Sequence, residues 1–344
     1  MTSSTRRRGV FLVWPQEYEL SQHLADNLGL RLLLIQAKNP NSPVLFRYFN
    51  QSVRTIRWLN KHKPQFVFIQ NPPLMACLIV YFYSIFHRQT KIGIDNHSVF
   101  FRSKKWVLWH SFFKPIAQRA VINTAHNKYD LRILKQWGVN CQEMQFINPI
   151  YRKSLTKSPL KNLRWKRWKK KLKQAKVSVF MVNRFAKDDD DYITVMRAAK
   201  RKPNWIFFIT GDSSKASQTE LQFAPSNVIF TGYLNHSEFL KLMQKCSVTL
   251  CLTLRENTIL WSIREAMALR KVFVTSDTKA LREYFSGVGI FTERRSPKDL
   301  IRKIRHAVTS TSIYQEKINL FLKNDSVRIK EEIVEIKKAM GQSL

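Results

Sequence analysis

Short apolar runs alternate with longer segments of helical periodicity, and this alternation passes through the chain twice. Such a pattern is the signature of βα units feeding a parallel sheet. The first series predicts strands at 10–14, 31–35, 66–70, 91–95, 120–123 and 142–147. Helices are expected between them, notably at 17–28, 44–62 and 126–137, the last closed by Gly138. From about residue 175 the series restarts, with strands at 177–182, 205–210, 227–230, 248–252, 272–275 and 289–291. Helices at 190–202, 236–245, 260–269, 279–285 and 297–308 separate these, and a last helical stretch, 312–340, has no strand after it. Two doubly wound α/β sheets in tandem are therefore expected, with a cleft between the lobes. Ligands in open α/β sheets sit outside the carboxyl ends of the strands.

At 344 residues the chain has room for two lobes, each with its own core. The expected division is a first Rossmann-like lobe over 1–150, a connector over 151–175, a second Rossmann-like lobe over 176–310 and a helical extension over 311–344. No repeat of fixed period is present, and a hydrophobic fraction of 44% argues for a folded rather than a disordered chain.

The formal charge is +35, from 59 Lys and Arg against 24 Asp and Glu, so the surface should seek polyanions. Nucleic acid, acidic lipid head groups and anionic substrates all fit that field, and charge alone does not choose among them. Cys77, Cys141, Cys246 and Cys251 are widely spread, which speaks against a metal-binding cysteine cluster and for buried thiols in a reducing compartment. The apolar stretch after the basic start is too short for a signal peptide. The run LMACLIVYFYSIF, 74–86, is shorter than the roughly 20 residues that span a bilayer and reads as a buried or interfacial helix.

The connector contains LRWKRWKKKLKQ, 163–174, in which Trp165, Trp168 and Leu172 recur at helical spacing among lysines and arginines. A basic amphipathic helix with Trp suits a membrane interface. A linker helix whose tryptophans pack on one lobe would show the same pattern.

The richest stretch is 227–291, NVIFTGYLNHSEFLKLMQKCSVTLCLTLRENTILWSIREAMALRKVFVTSDTKALREYFSGVGIF. A strand, a Gly turn, a helix, a second strand, an acidic turn, an EAMA helix, a strand ending in T-S-D, then L-R-E and a Gly-containing strand follow in order. This succession resembles the donor-binding domain of family-four glycosyltransferases, the glycosyl transferases group 1 domain. The resemblance covers about 183–308 and extends, more weakly, through the first lobe. It implies the GT-B architecture of two Rossmann-like domains facing an interdomain cleft, with the acceptor on the side of 1–150 and the nucleotide sugar on 176–310.

A nucleotide-sugar site needs a carboxylate for the ribose hydroxyls, backbone amides or cations for the diphosphate, and hydrogen-bonding groups for the sugar. Glu265 opens the EAMA stretch, and the matching Glu of the family binds the donor ribose. The family pairs that residue with a Glu eight positions earlier; here that position is Asn257, and Glu256 stands one residue before it. Either Asn257 replaces the carboxylate, or a bulge brings Glu256 into the site. Gly232 in FTGYL lies where the family's turn meets the nucleotide base, so Tyr233 and Leu234 are candidates to contact it. Arg184 and Lys187, after the first strand of the second lobe, are candidates for the diphosphate, since a guanidinium forks onto two phosphate oxygens. Asp188 to Asp191 resembles a metal motif, yet its place at the start of a predicted helix favours capping, and no obligatory metal is expected.

In the first lobe, GIDNH, 93–97, ends a strand with two titratable groups, so Asp95 or His97 could accept the proton of an acceptor hydroxyl. Gln70 and Asn71 end the preceding strand and are expected to line the acceptor side of the cleft. The resemblance, with these residues, implies an enzyme that moves a hexose-like sugar from a UDP- or GDP-sugar to a hydroxyl of a lipid-linked glycan or polysaccharide. It would be cytoplasmic and peripheral at the inner face of an anionic membrane, with nucleic acid not expected as a partner. A nucleotide-sugar epimerase of the same fold would instead act on the donor without acceptor. A basic scaffold or nucleic-acid binder built on a degenerate transferase fold would show salt-sensitive affinity for DNA or RNA and none for the donor.

Overall fold

The structure, a computed structural model, describes residues 9–15, 19–37, 39, 41–144, 163–186 and 188–341. Two compact units make up the chain, Met1–Ile147 with Val327–Leu344, and Asn148–Ser326.

The first unit holds a six-stranded sheet in the order β2-β1-β3-β4-β5-β6: β1 Gly9–Val13, β2 Arg31–Leu34, β3 Phe66–Asn71, β4 Lys91–Asn96, β5 Ile122–Ala125 and β6 Cys141–Glu143. All neighbours pair in parallel. Helices cover both faces, which is why the strands read as continuous apolar runs. On one face Leu59, Cys77, Val80, Tyr83, Phe113 and Ile116 close the core. On the other, Leu24 and Leu28 meet Ile329, Ile333 and Ile336 from the end of the last helix, Thr311–Met340. The expected C-terminal extension thus divides, because an apolar stripe in its second half covers a sheet face of the first unit that would otherwise stay wet. Gly93 on β4 is required by packing: a Cβ there would fall 2.3 Å from the Phe68 ring.

The second unit repeats the plan, with strand order β12-β11-β10-β7-β8-β9: β7 Val177–Met181, β8 Trp205–Thr210, β9 Val228–Gly232, β10 Val248–Cys251, β11 Phe273–Ser276 and β12 Ile290–Thr292. Its helices start at side chains suited to the task. Asn235 accepts from the Glu238 amide, Thr278 from Leu281, and Ser296 from Asp299 with Pro297 in the first turn. The direction of winding reverses between β1 and β3 in the first unit and between β7 and β10 in the second. Ligands bind at such switch points.

The connector helix Leu163–Gln174 belongs to the second unit, and its second tryptophan packs on that unit as the linker-helix alternative expects. Trp168 is 6% exposed, edge-on to Phe208 at 5.7 Å, with the Arg164 guanidinium 4.9 Å above it. Arg164 also bonds Glu238 and the Thr231 carbonyl. Its deepest indole packs on the sheet, while Arg167 and the lysines face outward.

Candidate active site

At the carboxyl end of β4, Asp95 is completely buried. Its Oδ2 lies 3.1 Å from His97 Nε2 and its Oδ1 lies 3.1 Å from His126 Nε2, while Thr124 donates to Oδ1 at 2.8 Å. His126 follows β5, the neighbour of β4, so parallel pairing sets the two strand ends side by side. His126 Nδ1 lies 2.9 Å from the Met144 carbonyl. Both ring nitrogens therefore face acceptors, an arrangement that suits the imidazolium, which donates from both. Burial alone would raise the Asp95 pKa, but the attraction of His126 and then His97 outweighs it and holds the carboxyl far below the usual carboxylate range. Burial would lower that of His126, but Asp95, helped by Met144, raises it above its ordinary 6.5.

His97 is the accessible member, with its side chain 23% exposed. Its amide donates to the Asn71 carbonyl at 2.8 Å, and the next residue, Ser98, bonds Asp130 at 2.5 Å, so the backbone on both sides of the imidazole is fixed. Donation from Nε2–H to Asp95 leaves the Nδ1 lone pair as the basic atom. Asp95, His97 and His126 also present one ligand atom each within 4.8 Å of one another, a set able to hold a metal ion. Gln70 and Asn71, expected to line a cleft, are instead buried: Gln70 accepts from Ser21 at 3.0 Å, and Asn71 donates to Asn96 at 2.9 Å. Ser21 thus links helix Glu19–Leu28 to the end of β3, and Asn71 links the ends of β3 and β4, while Asn71 Oδ1 has no hydrogen-bond partner among the described residues.

The His126–Asp95 pair makes stability depend on pH. His126 binds its proton more tightly folded than unfolded, so its contribution is complete below pH 6.5 and is lost as pH rises through the raised value. Asp95 contributes above the ordinary carboxylate range and loses its share as pH falls. The melting temperature is expected to decline on the alkaline side of pH 6.5, and His126→Asn should flatten that decline. An unchanged alkaline slope in the variant, followed by calorimetry, would rule out the pair as its source.

In the second unit, the switch-point loops after β7 and β10 are knitted together by the four aspartates, which corrects the expectation of helix capping. Helix Tyr192–Lys200 receives no side-chain cap from Asp191, whose carboxylate accepts instead from the Arg295 amide at 2.9 Å. Asp190 accepts from the amides of Arg184 and Ala186, both at 2.9 Å. Asp189 is bonded by Thr253 and Arg184, and Asp188 by Arg255 at 2.6 Å. These acids are occupied by fixed partners from β7 to β12 because the loop folds back before the helix begins. Arg184 is held by Asp189 at 2.9 Å yet remains 63% exposed. Lys187 lies outside the described residues.

Next to Arg184, Asn183 is 3% exposed, and neither its side-chain nitrogen nor its oxygen has a hydrogen-bond partner among the described residues. Buried polar atoms are nearly always paired, so such a residue at a switch point marks a place for a ligand or water. Gly211 presses on the same spot: at φ +92° it brings the end of β8 so close that a Cβ would sit 2.4 Å from the Asn183 carbonyl oxygen. Gly232 also has a positive φ, and its carbonyl accepts from the Gly211 amide at 3.3 Å. Tyr233 beyond it is exposed, with its hydroxyl 3.2 Å from Lys215 Nζ, and Leu234 is half-buried.

Glu256 accepts from the Lys279 amide at 2.7 Å and pairs with Arg294 at 3.0 Å, whereas Asn257 is half-buried in the same loop. Glu265 is 6% exposed on helix Trp261–Ala268. Its neighbour Arg264, a turn of about 100° away around the helix, goes instead to Asp325, between Phe285 and Phe321.

His126, Thr124 and Asn183 were not singled out by sequence reasoning. The signal lies in N-T-A-H-N, 123–127, but the expected strand ends two residues short of β5, which places His126 in a helix rather than at a strand end.

The two parallel sheets and their flanking helices are the GT-B fold of nucleotide-sugar glycosyltransferases. Residues 164–323 match the glycosyl transferases group 1 family. Among solved structures it is similar to Anabaena HepE in complex with UDP and glucose, at 13% identity and a TM-score of 0.70, covering 96% of this chain and 98% of that one. Sucrose-phosphate synthase from Thermosynechococcus elongatus matches at 12% identity and a TM-score of 0.71, over 97% and 98%. The UDP-forming α,α-trehalose-phosphate synthase from Burkholderia vietnamiensis matches at 9% and 0.66, over 96% and 100%. No curated protein sequence matches the chain.

Proposed function

We propose that the chain transfers a hexosyl group from a UDP-sugar to a hydroxyl of a lipid-linked or polysaccharide acceptor. The observation that carries this reading is the second unit's switch point, where Arg184 stands exposed beside the buried, unpartnered side chain of Asn183. A uridine donor is favoured because HepE has been seen with UDP-glucose. In this reading Glu265 accepts from the ribose hydroxyls, Arg184 and the first-turn amides of helix Trp261–Ala268 stabilise the departing diphosphate, and Lys187 is a further cation for it. Gly232, Tyr233 and Leu234 border the base. Asn257 meets the sugar, since Glu256 is engaged by Lys279 and Arg294. The acceptor oxygen bonds the anomeric carbon, the bond to the diphosphate breaks with its electron pair, and His97 takes the hydroxyl proton at Nδ1. No divalent metal enters this scheme. The four free cysteines suit a cytoplasmic setting, and the site of action is the face of an anionic membrane.

Glu265→Ala tests the donor assignment. It is expected to weaken UDP-glucose binding about ten- to hundredfold, the worth of roughly 1.5–3 kcal/mol for hydrogen bonds to a charged group, with the fold retained by circular dichroism. Unchanged affinity in a calorimetric titration would remove Glu265 from the site. A thermal shift with GDP-mannose but none with UDP-glucose would overturn the uridine assignment.

A further inference from the structure

The outer layer of the first unit is apolar where a surface helix is normally charged. Helices Val44–His62, Leu74–Phe86 and His110–Arg119 lie side by side on one face of the sheet: Tyr83 donates to the Leu59 carbonyl, and Arg119 bonds Ser84. Leu74–Phe86 spends its inward positions Cys77, Val80 and Tyr83 on the core. Its outward stripe is apolar from end to end, with Met75, Leu78 and Ile79 partly exposed and Phe82, Ile85 and Phe86 exposed, Phe86 at 82%. The flanking helix contributes Leu45, 83% exposed, with Phe46 and Phe49. On the other side stand Leu108, 80% exposed, and the adjoining Trp109 and Phe112. Large exposed apolar areas of this kind mark interaction surfaces.

The charges around this layer have one sign. Between Asp26 and Asp130 the sole acidic residue is Asp95, which is completely buried. Arg57, Lys61, Arg88, Lys104, Lys105 and Lys114 are exposed in the same stretch. No carboxylate within that stretch is available at the surface to neutralise them.

We infer that this three-helix face is a docking surface for an anionic lipid bilayer, with helix Leu74–Phe86 lying in the interface plane. Aromatic and aliphatic side chains suit the boundary between head groups and acyl chains, and a fringe of cations suits acidic head groups. A second copy of the chain would set the same unneutralised cations against themselves, whereas an anionic bilayer matches both the apolar and the charged parts. The helix is 13 residues long, about 20 Å, and among the described residues no helix is long and apolar enough to cross a membrane. Attachment is therefore peripheral, through the first unit rather than through the lysines of Leu163–Gln174.

The experiment is co-sedimentation of the full chain with phosphatidylcholine vesicles, with and without phosphatidylglycerol, and it needs no donor, so it stands apart from the sugar-transfer reading. The chain should bind the acidic vesicles and weaken as salt screens the charges. Replacing Phe46, Phe49, Phe82 and Phe86 by Ser should reduce binding at least about tenfold, from the lost apolar burial. Each reversal among Arg57→Glu, Lys61→Glu and Arg88→Glu should cost about fivefold, from about 1 kcal/mol per basic residue near an anionic leaflet. Melting curves of these surface variants check that the fold survives. The inference is overturned if the chain ignores acidic vesicles, if the serine variant binds like the parent, or if only Lys169→Glu with Lys170→Glu and Lys171→Glu abolishes binding. A dimer that the serine variant turns into a monomer without loss of vesicle binding would likewise assign the face to a second copy.

Discussion

Replacing His97 by Ala is expected to lower kcat by about 10²–10⁴-fold, the usual worth of a positioned general base, while donor affinity stays unchanged. The imidazole is held by Asp95 at Nε2 and the residue's amide by the Asn71 carbonyl, so replacing it removes the proposed proton acceptor without loosening the strand ends. Asp95→Asn separates orientation from basicity. An amide in place of the carboxylate keeps the shape but leaves His126 and His97 without their anion, so kcat should fall and stability should fall with it. Equal turnover by His97→Ala and the parent, measured with saturating donor, would remove His97 from the reaction.

Breaking the Arg264–Asp325 pair is the second large effect. Arg264 is 1% exposed, bonded to Asp325, and stacked between Phe285 and Phe321. Removing one partner of a buried ion pair costs about 3–5 kcal/mol. Asp325→Ala should therefore lower the melting temperature by about 6–20 °C, at roughly 2–4 °C per kcal/mol for a unit of this size. Arg264→Met combined with Asp325→Ala should recover much of the loss, because neither charge is then left buried. A single variant that melts with the parent would show that water or another group already satisfies the pair. The pair also anchors the segment before Val327, where the last helix passes from one unit's residues to the other's.

Both effects depend on contacts that join residues distant in sequence, and here the sequence and the tertiary structure parted ways. Local pattern was enough for the strands: each expected strand exists, most of them within two residues of the expected bounds, and the end of the strand expected at 142–147 lies outside the described residues. It was also enough for the helices whose capping residues and apolar stripes are written side by side. The match over 164–323 rests on the same local order of strand, turn and helix.

Pairing in space was not legible. Asp95 and His97 could be read from one strand end, but His126 joins them only because β5 lies beside β4. The acids from Asp188 to Asp191 looked like a helix start, and only the folded loops show them claimed by Arg184, Arg255, Thr253 and the Arg295 amide. Trp168 and Phe86 were both apolar residues in amphipathic or apolar runs, yet the first is buried against Phe208 and the second stands exposed. Apolar periodicity records that a residue has an inward or outward side, because that follows from the helix repeat. Which surface, if any, covers that side is set by the packing of distant elements, and that only the tertiary structure decided.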